Sequence, residues 1–177
     1  MKKNYIMKIL KYSLLLIVAI VLICCEEKEN FQFCDAIQKA YQARCTRSMR
    51  GINTDSLAII NAVCIEKGDM SSSCICEAII GYDKFFKRDY LNALIMMKNA
   101  ESKLQYCDSM SAFVYHYLSE ILAAEDTTIA LEYINKAIVC STKQDNKVDQ
   151  INAYRQKAKL VGVDSARIYI KKASSIS

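Results

Sequence analysis

The stretch Tyr90–Ala100, YLNALIMMKNA, places Ala93, Met97 and Ala100 at successive offsets of four and three residues. In a helix those offsets put three side chains on one stripe, and alanine at both ends of the stripe lets a neighbouring helix come close. Sliding the chain against itself finds the arrangement three more times. Asp55–Ile65 (DSLAIINAVCI) holds Ala58, Ala62 and Ile65; Thr128–Ile138 (TIALEYINKAI) holds Ala130, Ile134 and Ala137; Asp164–Ser174 (DSARIYIKKAS) holds Ala166, Ile170 and Ala173. The leading alanines, at 58, 93, 130 and 166, stand 35, 37 and 36 residues apart. That period suits a pair of helices and their joints.

Working outward from Tyr90, residues 87–93 read KRDYLNA, and Ile80-Gly81 begins ten residues before Tyr90. These features resemble the tetratricopeptide repeat (TPR), a unit of about 34 residues in two antiparallel helices, with Leu-Gly-x2-Tyr in the first and Ala-x3-Phe-x2-Ala in the second. Residues 74–107 are the best copy, with Ile80-Gly81 in the Leu-Gly place and Met97 in the Phe place. Leu118 keeps step with the third copy. The chain departs from the family in lacking Trp and a closing Pro and in having longer loops. The resemblance covers Phe31 to about Ser175 and implies an all-α protein, a right-handed α-solenoid of about four TPR-like helix-turn-helix repeats.

Composition agrees. The 177 residues contain no Pro and only four Gly, with 53% apolar residues, which favours long helices and short joints over turn-dense β folds. Gly51 and Gly162 fall between the two helices of the first and fourth repeats, and Gly68 follows the second helix of the first, where a left-handed cap position suits glycine. Asp55, Asp126 and Asp164 stand near second-helix starts as caps or first-turn anions.

The N-terminus is of another kind. Lys2, Lys3, Lys8 and Lys11 precede an uncharged run from Tyr12 to Cys25. As a helix this run would cover about 21 Å, short of the ~30 Å hydrocarbon core, so it has the proportions of a signal peptide over residues 1–24. Leu22-Ile23-Cys24-Cys25 resembles a bacterial lipoprotein signal, and the resemblance implies lipid on Cys25, with Cys24 the other candidate. Residues 25–30 then form an acidic tether, and 31–177 the repeat domain. Removing four lysines from 24 basic residues leaves 20 against 19 acidic ones, a balance that sets nucleic-acid binding aside. The implied place is the cell envelope of a Gram-negative bacterium, with the outer membrane, on its periplasmic or surface face, as the expected site.

Chemistry is sparse. Beyond Cys25 the cysteines are Cys34, Cys45, Cys64, Cys74, Cys76, Cys107 and Cys140, an odd number without a regular disulfide framework, and they read mostly as small core residues. Cys74-x-Cys76 lacks the spacing of a zinc site, and His116 is the only histidine. No phosphate-cradling glycine loop or nucleophile elbow occurs. The sequence therefore predicts neither catalysis nor a cofactor or metal.

It predicts a binding surface instead. The TPR resemblance implies a concave groove lined by first helices. Its inward positions fall on Ala43, Arg44, Arg47 and Arg50, then Tyr82 and Phe85, then Tyr115, His116 and Ser119, then Asn152 and Arg155. Arginine and tyrosine suit an acidic or carboxylate-ended protein segment. The C-terminal helix, exposing Ile168, Ile170 or Ile176, offers an end for self-association. Two functions are implied: a lipid-anchored scaffold or assembly factor acting through protein–protein contact, or a sensor related to the repeat half of TPR-containing regulators, which NTDSLAII resembles.

Overall fold

The computed structural model describes residues 35–43, 46, 48 and 51–176. The expected signal peptide, the tether, Cys25, Arg44, Arg47 and Arg50 lie outside the described residues. The chain divides into two units, Met1–Ala36 and Ile37–Ser177. Only residues 35 and 36 of the first are described, so the architecture is that of the second.

The described residues are helical, with no strand among them. Residues 35–43 are helical (α1). Then come α2 (Thr54–Glu66), α3 (Met70–Phe86), α4 (Tyr90–Ser102), two 3-10 turns (Leu104–Tyr106 and Asp108–Met110), α5 (Ser111–Leu122), α6 (Thr127–Lys143), α7 (Lys147–Leu160) and α8 (Val163–Ile176).

Three of the joints share one construction. At 67–69, 87–89 and 144–146 the middle residue takes a left-handed conformation, Gly68 at φ 75°, Arg88 at 63° and Asp145 at 50°. The amides after α2 show the consequence: Gly68 N–H donates to Ile65 O at 3.1 Å and Asp69 N–H to Cys64 O at 2.8 Å, which satisfies carbonyls the helix end leaves open. The last residue of the joint then starts the next helix. Asp69 Oδ1 accepts from Ser72 N–H at 3.0 Å, and Asn146 Oδ1 from Asp149 N–H at 3.1 Å. A chain that stops one helix and caps the next within three positions must turn sharply, so consecutive helices lie side by side.

Each helix from α2 onward packs on its sequence neighbour, and α5 also touches α3 and α7. The core between them follows the alanine stripe. Ala93, Met97 and Ala100 on α4 are all 0% exposed, as are Ala130, Ile134 and Ala137 on α6. Burying Met97 alone contributes about 1.5–3 kcal/mol of transfer free energy. Gly81 makes the α3–α4 approach close, because a β-carbon there would lie 3.3 Å from Ala93 O.

The stripe fails on α2, where Ala58 and Ala62 are exposed and Ile65 is largely so. The helix is turned by one position: Leu57, Ile60 and Cys64 are buried, and Asn61 takes the central place. Its side chain accepts from Ser73 Oγ–H at 2.7 Å and donates to Glu77 Oε1 at 3.4 Å, so hydrogen bonds to α3 select this register. On α8 Ala173 is buried and Ala166 half-buried, whereas Ile168 and Ile170 are more than half exposed.

Candidate functional site

The contacts of α5 with α3 and α7 bring three helices to one groove, with a volume of about 700 Å³. Tyr82, Asp83 and Phe86 come from α3, His116, Tyr117 and Glu120 from α5, and Asn152, Arg155, Gln156 and Lys159 from α7. Ser48 completes the rim. On α5 and α7 these positions follow a rhythm of three and four residues, so each helix shows the groove one stripe.

The apolar wall is aromatic. The Tyr82 ring meets Phe86 at 4.8 Å, Tyr117 at 4.9 Å and Phe113 at 5.5 Å, mostly edge to face. Phe113 is fully buried behind them and fixes the cluster to the core. Phe85 supports the wall from outside the groove, with its ring 5.4 Å from both Phe86 and Tyr117.

The polar wall is mixed in charge. Asp83 Oδ2 accepts from Lys87 Nζ at 2.7 Å and from Thr54 Oγ1–H at 3.3 Å. The Asp83 carboxylate, by hydrogen bond and charge, raises the Lys87 ammonium pKa above its usual value. Lys159 Nζ lies 3.3 Å from Glu120 Oε1, which is also 3.9 Å from His116 Nε2. Arg155 is exposed and joins no carboxylate among the described residues. Gln156 is 4% exposed, and its Oε1 has no hydrogen-bond partner among the described residues. A buried acceptor facing a groove is completed by an N–H or O–H brought there.

Of the expected groove residues, the structure gathers Tyr82, His116, Asn152 and Arg155. Ala43 and Ser119 are buried. Tyr115 is a correction: it stacks on Tyr133 of α6, with centroids 6.1 Å apart, and Lys136 Nζ lies 5.6 Å from its ring. Adjacent residues on a helix point about 100° apart, so His116 and Tyr115 face different neighbours. Tyr154 on α7 and Tyr169 on α8 repeat the stacked pair at 6.3 Å. Asp83, Phe86, Tyr117, Glu120, Gln156 and Lys159 were not expected, although a step of four residues from an expected position reaches Phe86, Glu120, Gln156 and Lys159.

No group of three or more His, Cys, Asp or Glu side chains able to hold a metal occurs among the described residues. No described helix is long and apolar enough to cross a membrane. No protein-family model matches the chain, and neither a curated protein nor a solved structure matches it.

Proposed function

We propose that the protein is a lipid-anchored component of the bacterial cell envelope, held through Cys25, whose TPR-like α-solenoid of about four repeats binds a protein segment as a scaffold or assembly factor. The observation that carries this reading is the groove. Alternate helices line it, while the alanine-flanked stripes of α4 and α6 are buried against the helices on either side. This is the division of labour that the TPR resemblance implies for first and second helices.

The chemistry of the groove supports a peptide as the occupant. The Tyr82, Phe86 and Tyr117 rings give contact area at small entropic cost. The unpartnered Gln156 Oε1 suits a main-chain N–H, and Arg155 suits a carboxylate, with two hydrogen bonds from one planar cation. Asp83 and Glu120 already have cationic partners, so they do not cancel Arg155. The function is binding, without a catalytic step.

The test places a photo-crosslinking residue at Asn152 in intact cells, with a second crosslinker at Ile59, which is exposed on α2. A partner captured from position 152 but not from 59, and lost on Arg155→Glu, supports the groove. The same partner from both positions, or capture unchanged by Arg155→Glu, overturns it. Metabolic labelling with a palmitate analogue tests the anchor: label lost in Cys25→Ala and kept in Cys24→Ala is the required result.

A further inference from the structure

Two helix faces away from the groove are exposed and opposite in charge. α2 packs on α3 and buries Leu57, Ile60 and Cys64, which leaves the far side of the helix open. At about 100° per residue, Asp55, Ala58, Ile59, Ala62, Ile65 and Glu66 share an arc of about 120° on that side. All six are exposed, Ile59 by 67%. The two alanines leave room for another helix to come near, and the isoleucines and carboxylates surround them.

α8 presents the counterpart. It packs on α7 with Tyr169 and Ala173 turned inward. On another side Val163, Arg167, Ile170, Lys171 and Ser174 share an arc of about 100°. All five are exposed, Val163 by 73%. None of Asp55, Glu66, Arg167 and Lys171 joins an ion pair among the described residues. Charge divides in the same sense along the chain: residues 54–142 hold 12 Asp and Glu against 7 Lys and Arg, and residues 143–176 hold 8 Lys and Arg against 3 Asp and Glu.

We propose that the chain associates head to tail with a second copy of itself, the acidic α2 face of one copy seating on the basic α8 face of the next. Burial of Ile59 and Ile65 against Val163 and Ile170 supplies the attraction. The charges at the border select the mate. Two α2 faces would bring four carboxylates together, and two α8 faces four cations, so like faces repel and only unlike faces pair.

A contact of this kind uses different patches on its two copies. Each pair keeps one α2 face and one α8 face free, so further copies add in a row. The inference needs neither the lipid anchor nor an occupied groove, because α3, α5 and α7 line the groove and α2 and α8 contribute nothing to it. A row would therefore display one open groove per copy, and a partner with several binding segments would gain avidity from it.

The experiment places a photo-crosslinking residue at Ser174 of the full chain in intact cells and maps the products by mass spectrometry. The expected product is a covalent pair of chains that joins residue 174 to a peptide of α2. Isotopically heavy and light chains, purified in detergent, mixed and irradiated, should give the hybrid-mass pair that only two copies can form. Asp55→Lys with Glu66→Lys should lower the yield roughly tenfold, and so should Arg167→Glu with Lys171→Glu. Either reversed chain alone sets like charges face to face. Co-expressing the two puts opposite charges at both contacts, and the yield should return to that of the wild type. A residue-174 product with lipid, with a different protein or with α8 of a second copy overturns the proposal, as does no product at all. A yield unchanged by both reversals overturns it too, as does a co-expressed pair that stays low while circular dichroism shows both chains helical. The wild-type map decides the matter even if a reversed chain fails to fold.

Discussion

Gly81 of α3 faces Met97 of α4 so closely that a β-carbon on the glycine would lie 3.1 Å from Met97 Cγ. The same β-carbon would stand 3.3 Å from Ala93 O, a backbone atom that moves only if α4 moves. Gly81→Ala gains roughly 1 kcal/mol of helix propensity and loses about 1–3 kcal/mol to overpacking. The net expectation is a loss of about 1 kcal/mol, read as a lower urea midpoint at unchanged slope. A gain would mean that the helices separate at no cost.

Arg88 presents the opposite case. It holds φ 63° in the joint between α3 and α4, a conformation that costs a residue with a β-carbon about 1–2 kcal/mol. Glycine removes that cost and loses part of the gain to unfolded-chain entropy. Arg88→Gly should stabilise by about 0.5–1 kcal/mol in the same urea measurement. Asp145→Gly should gain less, because aspartate visits this region more readily.

The Glu77 and Lys103 side chains form an ion pair that is only 4% and 15% exposed. Lys103→Ala strands a buried carboxylate beside Asn61, and should cost about 3 kcal/mol. Glu77→Gln combined with Lys103→Met removes both charges and should recover at least half of that loss. A double variant as unstable as the single one would show that packing, not charge, is at stake.

Cys107 should betray its thiolate by its pH profile. Alkylation needs the deprotonated sulfur, so a lowered pKa moves the rise of the rate to lower pH. Around Cys107 stand the Cys74 thiol, Ser71 and Ser109, with Asp108 next in the chain; Glu77 and Lys103 act on Cys74 as an opposed pair. The rate of iodoacetamide labelling at Cys107, tracked by peptide mapping, should reach half its maximum at about pH 6 and level off above about pH 7. At Cys64, whose pKa burial raises, it should still be climbing at pH 9. Cys74→Ala should move the Cys107 rise upward.

The residues that announced the fold were those whose environment repeats. Ala93, Ala100, Ala130 and Ala137 meet a helix on the same side each time, so a single spacing describes them all. Ala58 and Ala62 share the spacing by chance on an exposed flank of α2, and the buried row hid behind Asn61, a polar residue whose partners on α3 are invisible along the chain. In the groove, Tyr82 and His116 were legible because register alone places them. Tyr115 was not, because its partner Tyr133 belongs to another helix and competes with the groove for the same aromatic ring.

The construction of the α8 end has a kinetic meaning. The helices from α3 to α7 pack on a neighbour to either side, but α8 packs substantially on α7 alone, through Ala173 and the stacked Tyr154–Tyr169 pair. Unzipping should therefore begin there. Amide hydrogens of α8 should exchange with deuterium well before those of α5 and α6, through an opening that leaves the rest of the chain closed. The molecule would then carry its own ordered sequence of opening, with the groove-bearing middle as the last part to yield.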